Sequence, residues 1–348
     1  NETSMKRKSS LRLAFATVLA ALLPVATQAT TFNIPNGDVA GLIAAINTAN
    51  SSAGADTINL APNGTYTLIA VNNSTAWTGP NGLPVITSQM IINGNGATIQ
   101  RSSAPGTPDL RIFYLDGPGG DLMLRDVTVR GGAVAGSGGG LRVEGSKLLL
   151  VNSTVTENSG TDGGGIFNRN SASGGSELTL INSTISHNTS LGGFGGAGIF
   201  NLVSKTTIIN STVFENRADG TPGFQGRGDA IRDAFSAPGS VILKNSIVAS
   251  PTQGLGDDLS IAAGVLISLG HNIVSDASGG LTGPGDLNST NPLLGPLANN
   301  GGGTQTHAPL LGSPALDAVP LADCTDANGN TLLTDQRGVA RPQGLACL

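Results

Sequence analysis

Few residues in this chain are of types that carry chemistry, so their spacing decides what they can do. Outside the first 29 residues the only lysines are Lys147, Lys205 and Lys244, and the only histidines are His187, His271 and His307. Hydrolysis of a glycosidic bond needs two carboxylates facing each other across a groove. Elimination needs a basic residue beside an acid-lined cleft that often holds Ca²⁺. The three lysines fall at odd offsets within the repeat described below, on an outward face, and read as solubilising charges. The histidines lack the spacing of a metal site or a triad, and His187 and His307 read as structural. Asp257 and Asp258, in LGDDLS, are candidate Ca²⁺ ligands, although such a pair more often forms a solvated turn. No catalytic residue, metal site or cofactor is assigned.

A second group mixes rings with charges: Phe194, Arg217, Asp219, Phe224, Gln225, Arg227 and Asp229, with Asp233 just beyond. Flat aromatic faces stack on the C–H surfaces of sugars while neighbouring polar groups hydrogen-bond to hydroxyls. These residues are therefore assigned as a weak glycan-binding or adhesive patch, against the ordinary reading of an exposed loop. Whether they meet depends on the elements that carry them.

Those elements come from an internal repeat. LLLVNSTVTEN (148–158), LTLINSTISHN (178–188) and TTIINSTVFEN (206–216) are clear copies, and LMLRDVTVRGG (122–132) and VILKNSIVASP (241–251) are divergent ones. Anchoring on Asp126, Asn152, Asn182, Asn210 and Asn245 gives steps of 26, 30, 28 and 35 residues. The residues two and four before each anchor are mostly branched and apolar, a strand period with one face inward. An aliphatic residue returns three after it, at Val129, Val155, Ile185, Val213 and Val248.

Between anchors lie GGGL (138–141), GGGI (163–166), GAGI (196–199) and GDAI (228–231), where glycine gives backbone freedom for a tight corner. A unit of this length with short strands and no helical pattern fits one coil of a parallel β-solenoid. Stacked coils place the five anchors above one another, and Asn158, Asn188 and Asn216 as well. Both sets are expected to form ladders of side-chain amides.

The distance from anchor to post-corner aliphatic is 15 and 14 residues in the first two copies but 17 and 21 in the next two. Insertions at one corner of adjacent coils must project from one side, which is what would bring the patch together.

Composition agrees with an all-β, right-handed parallel β-helix: 51 glycines in 348 residues, 12% charged and 3% aromatic. At the N-terminus Lys6, Arg7 and Lys8 precede an apolar run from Leu13 to Leu23, the pattern of a signal peptide over 1–29 with Met5 as initiator. The run is too short for a transmembrane span. Its removal takes four of 18 basic and one of 23 acidic residues and leaves a net charge of −8, which argues against nucleic acid as a partner. Residues 30–54 read as an N-terminal cap whose helix, over 37–50, places Val39, Leu42, Ile43 and Ile46 on one side behind an Asp38 N-cap. Residues 55–280 read as the coils and 281–348 as an irregular C-terminal segment. Cys324 and Cys347 would meet an oxidising environment after export and are expected to form a disulfide. The outward face before the anchors is unusually apolar, and the C-terminal segment with Leu293, Leu294, Leu297, Leu310 and Leu311 is expected to fold back over it; otherwise it is an assembly surface.

The combination of LIAAINTANSSAGADTINL, the NST and GGGIFN coils, and NPLLGPLANNGGGTQTHAPLLGSPALDA followed by TDQRGVARPQGLAC resembles bacterial secreted proteins with a choice-of-anchor Q domain. The N-terminal part is similar to CSLREA-type β-helix proteins, and the Gly-Gly coils to polymorphic outer-membrane protein repeats. The resemblance implies an exported β-helix, often tethered at the cell surface by a C-terminal anchor. No anchor is visible before Leu348, and the chain is expected to be a truncated product. The function expected is that of a non-enzymatic surface or secreted scaffold, adhesin-like, with an extracellular glycan or a cell-surface ligand as its partner. The alternative is a polysaccharide lyase or glycoside hydrolase.

Overall fold

The computed structural model describes residues 29–342 and 346–347, apart from 53, 173, 193, 220–227, 235–238, 251–256, 263 and 327. It is a parallel β-helix. One coil shows the plan: a first face, Lys147–Val151; a corner at Asn152; a second face, Thr154–Thr156; a corner at Glu157 and Asn158; a short strand, Ser159–Gly160; a glycine turn; and a third face, Ile166–Arg169. Successive coils pair in parallel, and their lengths differ without loss of register. Leu148 lies between Leu122 and Leu178, Val155 between Val129 and Ile185, and Ile166 between Leu141 and Ile199. The first and second faces merge into one 15-stranded sheet because Gln89–Arg101 and Asp121–Arg130 run unbroken through the first corner.

The core is built from small aliphatics, as the scarcity of aromatics requires. Leu148, Leu150, Val155 and Ile166, with their counterparts above and below, form one cluster running the length of the helix. The lower end is closed by the helix Val39–Ser51, whose Leu42, Ala45, Ile46 and Ala49 are buried and whose Gly41 amide donates to Asp38 Oδ1 at 2.7 Å. Capping by that carboxylate satisfies one of the orphan amides of the first turn. Nearby, the buried Arg111 binds four neutral acceptors, including Gly138 O at 2.7 Å and Thr78 O at 2.8 Å, and ties the early coils together. Burial pushes its pKa down to about 9, which leaves it charged at neutral pH.

The two corners use asparagine differently. Asn158, Asn188 and Asn216 form a buried ladder: Asn158 Nδ2 donates to Asn188 Oδ1 and Asn188 Nδ2 to Asn216 Oδ1, both at 2.9 Å. Each also accepts or donates to backbone at the corner, as in Asn188 Nδ2 to Val155 O at 3.0 Å. The first corner departs from the expected ladder. Asp126, Asn152, Asn182, Asn210 and Asn245 stack in register, but their common property is a left-handed backbone, with φ between 48° and 52°. Asn and Asp are the non-glycine residues that adopt this conformation most readily. Only one amide rung is seen there among the described residues, Asn245 Nδ2 to Asn210 Oδ1 at 3.2 Å. The side chains of Asn182 and Asn245 reach the C-terminal segment instead.

That segment folds back along the helix, mostly away from the face expected, which it reaches at Lys244. It lies on the second face and the first corner. Thr304 Oγ1 donates to Asn152 O at 2.9 Å, Thr154 Oγ1 to Gln305 O at 2.8 Å and Thr184 Oγ1 to Gln336 Oε1 at 2.7 Å. Asn182 Nδ2 donates to Thr334 O at 3.0 Å and Asn245 Nδ2 to Asp323 O at 2.7 Å. Lys244, expected to be a solubilising charge, reaches Thr325 Oγ1, whereas Lys147 and Lys205 are exposed. Leu310 and Leu311 point to solvent, while Met123, Leu149, Val151 and Ile181 on the first face stay half-buried. Cys324 and Cys347 are disulfide-bonded and pack against Val319. Among the described residues no helix is long and apolar enough to cross a membrane.

Candidate functional site

The second corner carries the candidate patch, and its shape starts from the backbone. Glu157, His187 and Glu215 occupy successive left-handed positions, with φ of 55°, 56° and 52°, and so stack at the turn. The next strands pair Thr189 with Arg217. His187, Asn188, Thr189, Glu215 and Arg217 thereby enclose a recess of about 200 Å³. His187 Nε2 lies 2.9 Å from Glu215 Oε2, and Arg217 pairs with Asp219 on the rim. The loop that leaves Thr189–Ser190 exposes Leu191 and Phe194, the latter residue 42% accessible.

Behind the recess a chain of hydrogen bonds runs to the C-terminal segment. His187 Nδ1 meets Ser186 Oγ at 2.9 Å, and Ser186 Oγ meets His307 Nε2 at 2.8 Å. His307 Nδ1 donates to Gly295 O at 2.8 Å, so in the neutral imidazole that burial favours, Nε2 accepts from Ser186. Burial holds the His307 pKa below its ordinary value; the Gly295 carbonyl opposes this and His187 adds to it.

Of the residues expected in the patch, Phe194, Arg217 and Asp219 are at the corner, and Phe224, Gln225 and Arg227 lie outside the described residues. Asp229 and Asp233 are placed differently from the expectation. Both are buried: Asp233 stands two positions after the core residue Ile231 in the strand Ile231–Ala234, so alternation turns it inward, and Asp229 lies in the glycine corner just before that strand. Asp229 Oδ1 accepts from the Ala218 amide at 2.8 Å. Asp233 ends a third ladder, in which Asn168 Nδ2 donates to Asn201 Oδ1 at 2.9 Å and Asn201 Nδ2 to Asp233 Oδ1 at 2.8 Å. Burial raises the Asp233 pKa, and the Asn201 bond partly offsets it.

The Asp257/Asp258 pair is split: Asp257 is exposed, and Asp258 is buried with bonds from the Ser250 amide at 2.6 Å and the Ser275 amide at 3.0 Å. Burial, with Asp276 adding to it, pushes its pKa up to about 6 against the opposing serine bonds. Among the described residues no group of three or more His, Cys, Asp or Glu side chains could hold a metal ion.

Sequence reasoning missed a stack on the third face. Arg142 lies 5.9 Å from the Tyr114 ring centroid and 5.0 Å from that of Phe167, which stacks on Phe200 at 5.4 Å. Its signal was available, because each of these residues directly follows the post-corner aliphatic or its equivalent. Since all four are buried, they stiffen the face rather than present a surface.

No family model matches the chain and no curated protein matches it, so the choice-of-anchor Q resemblance rests on the quoted residues. A solved structure that matches is a crystal structure of pectate lyase Pel9A, at 14% identity and a TM-score of 0.41, covering 91% of this chain and 98% of that one.

Proposed function

We propose that the chain is an exported, non-enzymatic β-helix scaffold of the cell surface or extracellular medium that holds glycans at its second corner. The observation that carries this reading is the recess of His187, Thr189, Glu215 and Arg217, with Phe194 exposed on the loop that follows Thr189–Ser190. A sugar ring can lie on the aromatic face while its hydroxyls reach carboxylate, hydroxyl and guanidinium groups. The disulfide supports export, because such bonds persist in oxidising compartments. A glycan array probed with the full chain and with Phe194→Ala and Arg217→Ala is the test. Binding that falls at least about tenfold in both variants supports the reading; binding unchanged in both rejects it.

One observation favours a second reading, a polysaccharide lyase. The 2.9 Å pair of His187 Nε2 and Glu215 Oε2, with Arg217 in the same recess, provides a candidate base and a cation able to neutralise a sugar carboxylate. Incubation with acidic polysaccharides would then yield unsaturated products detectable by ultraviolet absorbance, and His187→Ala would abolish them.

A further inference from the structure

The early coils carry an exposed aromatic group on an uncharged part of the chain. From Thr57 to Gln100 the sequence holds no Asp, Glu, Lys, Arg or His, although 12% of the whole chain is charged. Within that stretch Asn73–Thr75 and Gly79–Asn81 pair as an antiparallel hairpin, and the turn between them raises Trp77, the only tryptophan, with 94% of its surface accessible. Ile69 and Val71, on the segment that enters the hairpin, are also exposed. So are Asn72, Ser74 and Thr75, which bring amide and hydroxyl groups to the same segment.

The hairpin is braced from beneath. The Thr78 amide donates to Thr75 Oγ1 at 3.0 Å, which closes the turn around Trp77. Asn81 Nδ2 donates to Asn73 Oδ1 at 2.8 Å across the two strands, and Asn73 Nδ2 to Leu83 O at 2.9 Å. The buried guanidinium of Arg111 donates to Thr78 O and Asn81 Oδ1 and also to Ser137 O and Gly138 O, which locks the hairpin to a later glycine turn. A platform held in place before its ligand arrives loses less freedom on binding.

The surroundings of the indole select among partners. A bilayer would have to take in the neighbouring hydroxyls, amides and hairpin backbone, which is costly, and residues 57–100 offer no basic side chain to draw it to anionic lipid. A protein partner generally needs about 800 Å² per side, several times what one indole supplies. A sugar asks for what is present: a flat apolar face for its C–H bonds and neutral polar groups for its hydroxyls. We propose that the Trp77 hairpin binds a neutral polysaccharide, one sugar ring stacked on the indole and its hydroxyls bonded among Asn72, Ser74 and Thr75. The hairpin itself offers an anionic sugar no exposed cation, which is why the ligand is neutral. The site is separate from the second corner, and its ligand class follows from these residues alone.

A single tryptophan reports its own contacts. The full chain is titrated with cellohexaose, maltohexaose, xylohexaose, mannohexaose, hexagalacturonate and phosphatidylcholine vesicles while acrylamide quenching of Trp77 is followed. At least one neutral oligosaccharide should shield the indole saturably, and hexagalacturonate and the vesicles should not. By calorimetry Trp77→Ala should weaken that oligosaccharide at least about tenfold, whereas Phe194→Ala and Arg217→Ala should leave its affinity unchanged. Shielding by the vesicles alone, equal shielding by hexagalacturonate, none by any neutral oligosaccharide, or an affinity unchanged in Trp77→Ala overturns the proposal. If Trp77→Ala fails to fold by circular dichroism, quenching in the native chain decides. The corner is scored separately, on the glycans that Trp77→Ala still holds: their loss in Phe194→Ala and Arg217→Ala supports the corner and their retention rejects it, whatever the hairpin does.

Discussion

At the residue scale, the two corners ask different things of the same amino acid. Asn188 makes bonds in both directions along the ladder and to Val155 O, all buried, so Asn188→Ala leaves several partners unsatisfied. Its cost should be about 3 kcal/mol or more, measured by urea unfolding. Asn152, whose Oδ1 is buried without a partner, matters for its backbone at φ 50°. Asn152→Gly should change stability by less than about 0.5 kcal/mol and Asn152→Val should cost about 1 to 2 kcal/mol. The sequence made both asparagine rows visible but not the distinction, because a left-handed backbone and an amide ladder recruit the same residue.

Titration gives a second residue-scale prediction. Folding raises the Asp258 pKa from 3.8 to about 6, so it favours the protonated form; that stability is fully present below the unfolded value and lost as pH rises through 6. The effect is on the order of 3 kcal/mol. His307 runs the other way: its lowered pKa favours the neutral form, with stability present above 6.5 and lost as pH falls through the folded value. The stability of the native chain minus that of Asp258→Asn should therefore rise as pH falls from about 7 to about 4, in urea titrations. A flat difference would show that burial does not penalise this carboxylate.

At the scale of elements, the C-terminal segment behaves as a clasp held mainly by polar bonds. Its docking face was hidden in the sequence for a physical reason. Thr154, Thr184 and Ser186 alternate with core aliphatics, so they read as solvent-facing, yet they are buried beneath the segment. The leucines expected to seal the contact are partly or wholly exposed instead. The Cys324–Cys347 bond joins residues 23 apart, and opening it should cost the clasp about 3 kcal/mol. Hydrogen exchange should show this as faster exchange at Leu332 and Asp335 after reduction, with the Asn158 and Asn188 amides still protected. Uniform acceleration throughout the chain would mean that clasp and coils unfold as one unit.

At the scale of the whole molecule, the architecture was the most legible feature, because every coil repeats the same inward positions and one period sets them all. The paired strands keep the steps of 26, 30, 28 and 35 residues read from Asp126 through Asn245. The candidate site was less legible, since Asp229 and Asp233 differ from surface carboxylates only in which way the glycine corner and the following strand turn them. The single tryptophan, Trp77, is 94% exposed, so its emission should scarcely shift on unfolding while circular dichroism changes fully.

The unequal steps have a practical meaning. Length differences gather in turns while the paired rungs stay aligned, so the rod works like a measuring stick whose graduations do not depend on its ornaments. Copying residues 147–176 in tandem should lengthen it by one strand spacing, about 4.8 Å, and would carry any ligand grafted onto a glycine turn outward by the same increment.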